Sequence, residues 1–522
     1  MKQIRGIQFR EPDYPAFGVE RLFSLKIKMA NDANLTQDAP GEADHQQMMG
    51  YSQTLRKPAT IRSPRRRSSA PTSIIGGTSA PDNAYYLFLL VNITLFLRPA
   101  ELVPALANLP IYEVLIVSSF FLSLDQIKRN LQMPMLKRQP ITLCVIGVLV
   151  AVALSHASHM YFYGIRTSTI AFLKTLIYYM LLVSIIDSPQ RLKGLLKAVA
   201  ISSSIMILLC VIDYSGLFDF EFIKHVSDRD GVSDAGETIR VFRMRGTGIF
   251  QDPNDLSVLI VTTGILCLFF FNDPSASSLR FFWILSMIIL GIGLIYTRSR
   301  GGLLTLGIAG MVFVLPKYGK KAAIACAIVG MAGLTVLAGR QGKIDLNSGT
   351  GHDRILLWRE GLTALKSPDL FFGIGQGEYS DLAGLAAHNS FVHAFTELGI
   401  FGGTLFIGCF FFAGLGIYRL ARYQSSNKGR PIFRNSELER YLPYAGAILA
   451  AWCGGMMSLS RCYVVPTYMI VGASAAYLNL AGASLAKPTP LIYWNKQHLL
   501  RLIGVSLGLL AALFVFVRIF AH

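Results

Sequence analysis

Runs of apolar residues separated by short polar stretches fill the chain from about residue 85 to its C-terminus. Many runs reach roughly 18 to 23 residues, the length that an α-helix needs to cross the hydrocarbon core of a membrane. The pattern therefore predicts an all-α, polytopic membrane bundle of about 12 or 13 transmembrane helices. The predicted spans are 85–97, 111–124, 140–157, 167–186, 195–213, 255–272, 280–297, 302–315, 321–338, 396–418, 442–460, 463–483 and 500–519.

Lys and Arg are concentrated in alternate connections between these spans. Cytoplasmic loops of membrane proteins carry such an excess, so the pattern predicts that two long loops, 214–254 and 339–395, face the opposite, outer side. The net charge of +18 follows from this bias and does not indicate nucleic-acid binding. The basic connections lie at 128–138, 191–193, 317–321 and 419–440.

Composition agrees with a membrane protein. Hydrophobic residues make up 52% of the chain and charged residues only 15%, whereas a soluble protein carries about 25% charged residues. Soluble enzyme folds are therefore excluded. The seven cysteines lie in or beside apolar runs without Cys-x-x-Cys spacing, which does not favour structural disulfides or a zinc site.

Residues 1–84 form a polar tail with no sustained periodicity. Six basic residues cluster between Arg56 and Arg67, among Ser, Pro and Thr. We expect a disordered, basic, cytoplasmic tail, followed by a membrane domain over 85–519.

The first outer loop ends in a basic, glycine-containing motif that includes Arg243 and Arg245 and runs into Pro253 and Asn254. Glycine lets a ligand approach the backbone, and the arginines place a dense positive charge at the membrane surface. The alternative is that Asp252 or Asn254 only caps the next helix and the arginines lie among lipid headgroups.

The connection Thr297–Gly302 carries Arg298 and Arg300 on the outer side. Two arginines in so short an outer connection oppose the charge bias of the other short loops, which favours an anion-binding role. The alternative is that both side chains extend to lipid phosphates.

The second outer loop contains Ile355, Trp358, Leu362 and Leu365 at helical spacing. This spacing predicts an amphipathic helix from Asp353 to about Pro368 that lies in the membrane plane. Arg354 on this helix either serves the site, pairs with Glu360 or orients the loop. The following Gly373-x-Gly375 lacks the strand that a dinucleotide-binding motif requires.

The loop closes with His388 at the junction to the tenth span. On a helix Asn389, His393 and Glu397 would share one face at intervals of four. An imidazole is well suited to transfer a proton near neutral pH, although a lone histidine is more often structural. A metal site on His388, His393 and Glu397 is disfavoured because five-residue spacing separates the two imidazoles on a helix.

These motifs, in their order along the chain, resemble the bacterial O-antigen ligase and Wzy-type polymerase superfamily of integral membrane glycosyltransferases. The resemblance covers about 200–460. It rests on the motifs Arg245–Asn254, Ser299–Gly302, Arg354 to Gly375, and His388-Asn389 with Glu397-x-Gly399.

The resemblance implies transfer of a glycan from undecaprenyl diphosphate to an acceptor hydroxyl on the periplasmic face of the bacterial inner membrane, in lipopolysaccharide or other surface polysaccharide biosynthesis. The acceptor would be lipid A core, a growing glycan or a protein. Arg245 and Arg300 would bind the diphosphate and His388 would be catalytic, without metal or other cofactor. The secondary candidates are Arg243, Arg298, Arg354, Asn389 and Glu397.

Two alternatives belong to other classes. A transporter or flippase for an anionic or lipid-linked substrate would use arginines within the membrane, but no inverted repeat is evident and the polar groups lie outside the predicted spans. A non-catalytic subunit of a polysaccharide export complex would use the outer loop to dock partners.

Overall fold

The computed structural model describes residues 79–106, 109–232, 238–274, 279–337, 350–366, 368–427 and 432–521. The predicted basic tail lies almost entirely outside these residues.

Helices form nearly all of the described chain, which confirms the all-α prediction. The first nine are α1 Asp82–Leu97, α2 Pro99–Leu102, α3 Ile111–Leu122, α4 Leu124–Asn130, α5 Met133–Arg138, α6 Pro140–Ala157, α7 Phe162–Ile185, α8 Pro189–Tyr214 and α9 Pro253–Phe271. The others are α10 Arg280–Thr297, α11 Arg300–Leu337, α12 Thr350–Ala364, α13 Tyr379–Ala383, α14 Ser390–Ser426, α15 Ser436–Met456, α16 Val465–Ser484 and α17 Lys496–Phe520.

Every predicted span falls on one of these helices. The predicted spans 302–315 and 321–338 are the two parts of α11, which bends at Gly319. Within the described residues, seven helices are long and apolar enough to cross a membrane, namely α6, α7, α8, α9, α10, α14 and α17. Three further apolar helices are shorter. The chain is thus a multi-pass helical protein, and the count of 12 or 13 crossings stays a prediction.

One end of the bundle collects the segments that carry the predicted site residues. At this end α9, α11, α14 and α16 begin and α8, α10 and α15 finish; we call it the site end. The backbone N–H of Met244 donates to Tyr296 (3.0 Å), and Ser390 Oγ donates to the carbonyl of Leu459 (2.6 Å). At the opposite end Lys193 Nζ pairs with buried Asp273 (2.6 Å).

A β-hairpin that the sequence analysis does not predict occupies part of the first long loop. Strand β1, Val226–Val232, pairs antiparallel with β2, Thr238–Arg243. The end of β2 carries Arg243 to the site end of the bundle.

The predicted amphipathic helix is α12, and its apolar face is covered by protein. Ile355 and Leu362 are buried, and α12 packs on α14 and α17. Trp358 Nε1 donates to the carbonyl of Ala387 (2.7 Å), one residue before His388. Neighbouring helices thus bury the apolar stripe of this helix, and its orientation in the membrane plane stays a prediction.

Helix α14 is broken at Gly399, where φ is +65°. The loop around Gly373 fills the break: the N–H of Ile374 donates to the carbonyl of Thr396 (3.0 Å), and the N–H of Gly375 donates to that of Glu397 (3.2 Å). A Cβ on Gly373 would lie 2.3 Å from the Glu397 carbonyl. The glycines of both motifs thus allow two backbones to touch, which fixes the first turns of α14 against the long loop.

Candidate functional site

Arg243 ties three segments together at the site end. Its Nε donates to the carbonyl of Thr297 (3.0 Å), and its Nη2 donates to Asn254 Oδ1 (2.9 Å). Ser299 Oγ donates to the same Asn254 oxygen (2.8 Å). Asn254 therefore joins the end of β2, the start of α9 and the connection before α11.

Asp252 is the N-cap of α9, and its Oδ1 accepts from the N–H of Asn254 (2.6 Å). The capping alternative is confirmed for Asp252. Its carboxylate nevertheless acts on two candidate residues. Burial lowers the pKa of both Arg354 and His388, and the negative charge of Asp252 opposes this lowering.

Arg298 and Arg300 flank a tight connection. Arg298 has φ +48° and ends α10, while Arg300 begins α11 and is half-buried. Neither guanidinium hydrogen-bonds to a described residue. Gly301 lies against Ser458, whose Oγ would be 2.6 Å from a Cβ at that position, so this connection adjoins the loop between α15 and α16.

The loop between α15 and α16 also holds His388. Its backbone N–H donates to Ser460 Oγ (2.9 Å), and its φ is +49°. Burial lowers the pKa of His388, and the positive charge of Arg354 lowers it further. A neutral imidazole is therefore favoured at neutral pH.

Arg354 lies beside this imidazole on α12. Burial lowers the pKa of Arg354, Asp252 opposes the decrease, and Arg243 adds to it. Within the described part of the chain its guanidinium makes no hydrogen bond or ion pair, and Glu360 pairs instead with Arg359 (3.4 Å). Arg354 and His388 thus both lie within electrostatic reach of Asp252, and Arg243 lies within electrostatic reach of Arg354.

Arg461 is a functional candidate that the sequence analysis missed. Its Nη2 donates to the buried carboxylate of Asp255 in α9, and its backbone N–H donates to Ser390 Oγ (2.8 Å). Its charge also lowers the pKa of His388. The signal was present, because Arg461 stands in a short outer connection against the charge bias, as Arg298 does.

Asn389 and Glu397 use their side chains within the protein. Asn389 caps α14, its Oδ1 accepting from the N–H of Phe391 (3.0 Å) and of Val392 (3.2 Å). Glu397 is fully buried, and its Oε1 lies 2.8 Å from His393 Nε2. The predicted shared face of His393 and Glu397 is confirmed, and the described residues contain no group of three His, Cys, Asp or Glu side chains placed to hold a metal.

Arg245 lies to one side of the cluster. Burial lowers the pKa of His225, the neighbouring Asp213 carboxylate opposes this, and Arg245 lowers it further. His225 Nε2 is 2.8 Å from Asp213 Oδ2. Arg245 is partly buried and makes no hydrogen bond to a described residue. The structure therefore gathers Arg243, Arg354 and His388, brings the Arg300 connection beside them, and places Arg245 next to the His225 pair.

Apolar helices of membrane-spanning length, with arginines and a histidine from separate segments at one end, define a polytopic helical membrane protein with a cationic site. Residues 285–407 match the family model described as O-antigen ligase. The match confirms the resemblance to the O-antigen ligase and polymerase superfamily. It covers about a quarter of the chain, including Arg300, Arg354 and His388. No curated protein sequence matches the chain.

Proposed function

We propose that this protein is a membrane glycosyltransferase that moves a glycan from undecaprenyl diphosphate to an acceptor hydroxyl, on the periplasmic face of a bacterial inner membrane. The match of 285–407 to the O-antigen ligase model supports a ligase-like or polymerase-like function. The observation that carries the proposal is the gathering of guanidinium groups at one end of the bundle, where Arg354 and Arg461 act on His388 and Arg243 lies within electrostatic reach of Arg354.

Guanidinium groups suit a diphosphate leaving group. Cleavage of the bond between the anomeric carbon and the diphosphate oxygen leaves negative charge on that oxygen, which charge-assisted hydrogen bonds stabilise. Arg300, in the connection beside the cluster, has no hydrogen-bond partner among the described residues and is therefore available to the diphosphate, as is Arg298 in the same connection. Arg245 also has no hydrogen-bond partner among the described residues, and it would reach the diphosphate from the His225 side. Arg243 is committed to Asn254 and Thr297, so it positions the loop.

His388 would serve as the proton acceptor. As the acceptor oxygen bonds to the anomeric carbon, its proton passes to the neutral imidazole and the diphosphate departs with the electron pair of the broken bond. The decreased pKa of His388 keeps the imidazole ready to accept this proton. A single displacement of this kind inverts the anomeric carbon.

The test is turnover by the purified full-length protein in lipid, with an undecaprenyl diphosphate glycan, an acceptor, and neither nucleotide nor divalent metal. We expect release of undecaprenyl diphosphate and an inverted product. His388→Ala is expected to slow release at least about a hundredfold, the usual contribution of general-base catalysis.

Arg300→Ala is expected to slow release as well, with both variants unfolding at the wild-type temperature. Retained anomeric configuration would contradict the single displacement. Undiminished release in both variants would contradict the site assignment, and uptake of unchanged glycan lipid into sealed vesicles would assign the protein to transport.

A further inference from the structure

A cavity with polar side chains in its walls lies at the site end, away from the arginines. It opens between the end of α6, the start of α7 and the loop that precedes α13, and it has a volume of about 360 Å³. Ligand pockets commonly measure roughly 300 to 1,000 Å³. Its walls include His156, Tyr161, Glu378 and Asp381, with Leu382 at the side.

The cavity offers hydrogen-bond acceptors. Within the described residues, the carboxylates of Glu378 and Asp381 make no hydrogen bond or ion pair. His156 is 1% exposed, and its Nε2 lies 3.0 Å from the carbonyl oxygen of Gln376. The same Nε2 lies 3.0 Å from Ser168 Oγ. The other ring nitrogen, Nδ1, is buried against Gly164 and Gly375 and has no hydrogen-bond partner among the described residues. His156 thus forms a fixed wall of the cavity, and the carboxylates are its acceptors.

The cavity connects directly to the residues around His388. Glu378 precedes Tyr379, whose backbone N–H donates to Glu397 Oε1 (3.3 Å). The ring of Tyr379 lies 5.1 Å from the His393 ring, and the charge of His393 acts on His388. A ligand in the cavity would therefore touch the segment that holds the first turns of α14.

We propose that this cavity is a glycan-binding subsite. Sugar hydroxyls donate hydrogen bonds, which matches the two carboxylates, and the half-exposed Tyr161 ring offers an apolar face to sugar C–H groups. The two unpaired carboxylates repel phosphate, so the cavity takes neutral sugar units and leaves the diphosphate to the arginines. The role of these sugars rests on the proposed function; their source is either the acceptor or the donor glycan.

Binding is tested without any transfer. The full-length protein in lipid nanodiscs is titrated with oligosaccharides released by mild acid from the source cell's own surface glycan. We expect the double variant Glu378→Gln with Asp381→Asn to raise the dissociation constant at least about tenfold, because hydrogen bonds to a charged acceptor are stronger than those to a neutral one. Leu382→Trp, which fills the cavity, is expected to do the same. The control is Asp219→Asn, an exposed carboxylate beyond the end of α8.

Equal affinity in the wild-type and double variant, no binding by the wild-type protein at millimolar sugar, or binding abolished by a chelator would each overturn the subsite. The sources are separated by turnover: an increased KM for the acceptor assigns the acceptor glycan, and an increased KM for the donor assigns the donor glycan. Sugar binding that depends on Glu378 and Asp381, in a protein that releases no undecaprenyl diphosphate, would reject the proposed function and leave the subsite standing.

Discussion

At the scale of the residue, the proposed reaction depends on the protonation state of His388. A protonated imidazole cannot accept the proton of an attacking hydroxyl. Burial and the charge of Arg354 both disfavour the protonated form. The positive charge of Arg354 beside His388 therefore keeps the imidazole neutral down to a lower pH.

Substitution of Arg354 by Gln tests this arrangement. The positive charge of Arg354 is one of the causes that lower the pKa of His388. Without it the pKa of His388 rises, and less of the imidazole is neutral at a given acidic pH. We expect the acidic limb of the pH profile of kcat/KM to move to higher pH. Arg359→Gln is the matched control, since Arg359 lies on the same helix, is exposed and pairs with Glu360. An acidic limb that stays in place or moves to lower pH in Arg354→Gln would contradict the account.

Residue types and their positions predicted the segments that meet at the site end, but not the contacts that each side chain makes there. Asn389 is an N-cap and Arg243 binds Asn254. Both contacts depend on neighbours that only the folded chain brings near. Arg461 was missed although, like Arg298, it lies in a short outer connection where the charge bias predicts few basic residues. An arginine in any short outer connection is therefore a candidate for the site.

At the scale of the element, apolar run length predicted the helices because membrane-spanning backbone must satisfy its own hydrogen bonds. The sequence analysis did not predict the hairpin, because β1 and β2 are short and polar. The spacing of apolar residues predicted α12, yet its partners α14 and α17 depend on tertiary packing that no local pattern encodes.

The glycine contact between α14 and the long loop gives an element-scale prediction. We expect Gly399→Ala and Gly373→Ala each to destabilise the protein by about 2 to 4 kcal/mol, through backbone overlap and a left-handed conformation together. Gly377→Ala is the control, because Gly377 also has positive φ (+95°) but has open space around its Cα. It is expected to cost only about 1 to 2 kcal/mol. Unfolding midpoints of the solubilised protein measure the difference, and equal losses in all three variants would show that the contact between the backbones contributes nothing.

At the scale of the whole molecule, ion pairs occur at both ends of the bundle. At the end opposite the site, Lys193 is neutralised by Asp273 and Glu437, and at the site end Arg461 pairs with Asp255. The half-buried Arg300 and Arg245, also at the site end, have no such partner within the described chain. These two arginines favour an anionic ligand at the site end, and the sequence indicated it through the unusual position of Arg298 and Arg300.

The central claim is that arginines at the site end bind the diphosphate while His388 acts only in the chemical step. Its most direct test measures, on the same purified samples, the affinity for undecaprenyl diphosphate and the rate of release from the glycan lipid. Arg280→Ala, at the start of α10 and thus at the opposite end, is the control. The account predicts that Arg300→Ala weakens binding about tenfold or more. It predicts that His388→Ala binds as tightly as the wild type but releases product at least about a hundredfold more slowly. Wild-type affinity in Arg300→Ala together with wild-type release by His388→Ala would contradict it.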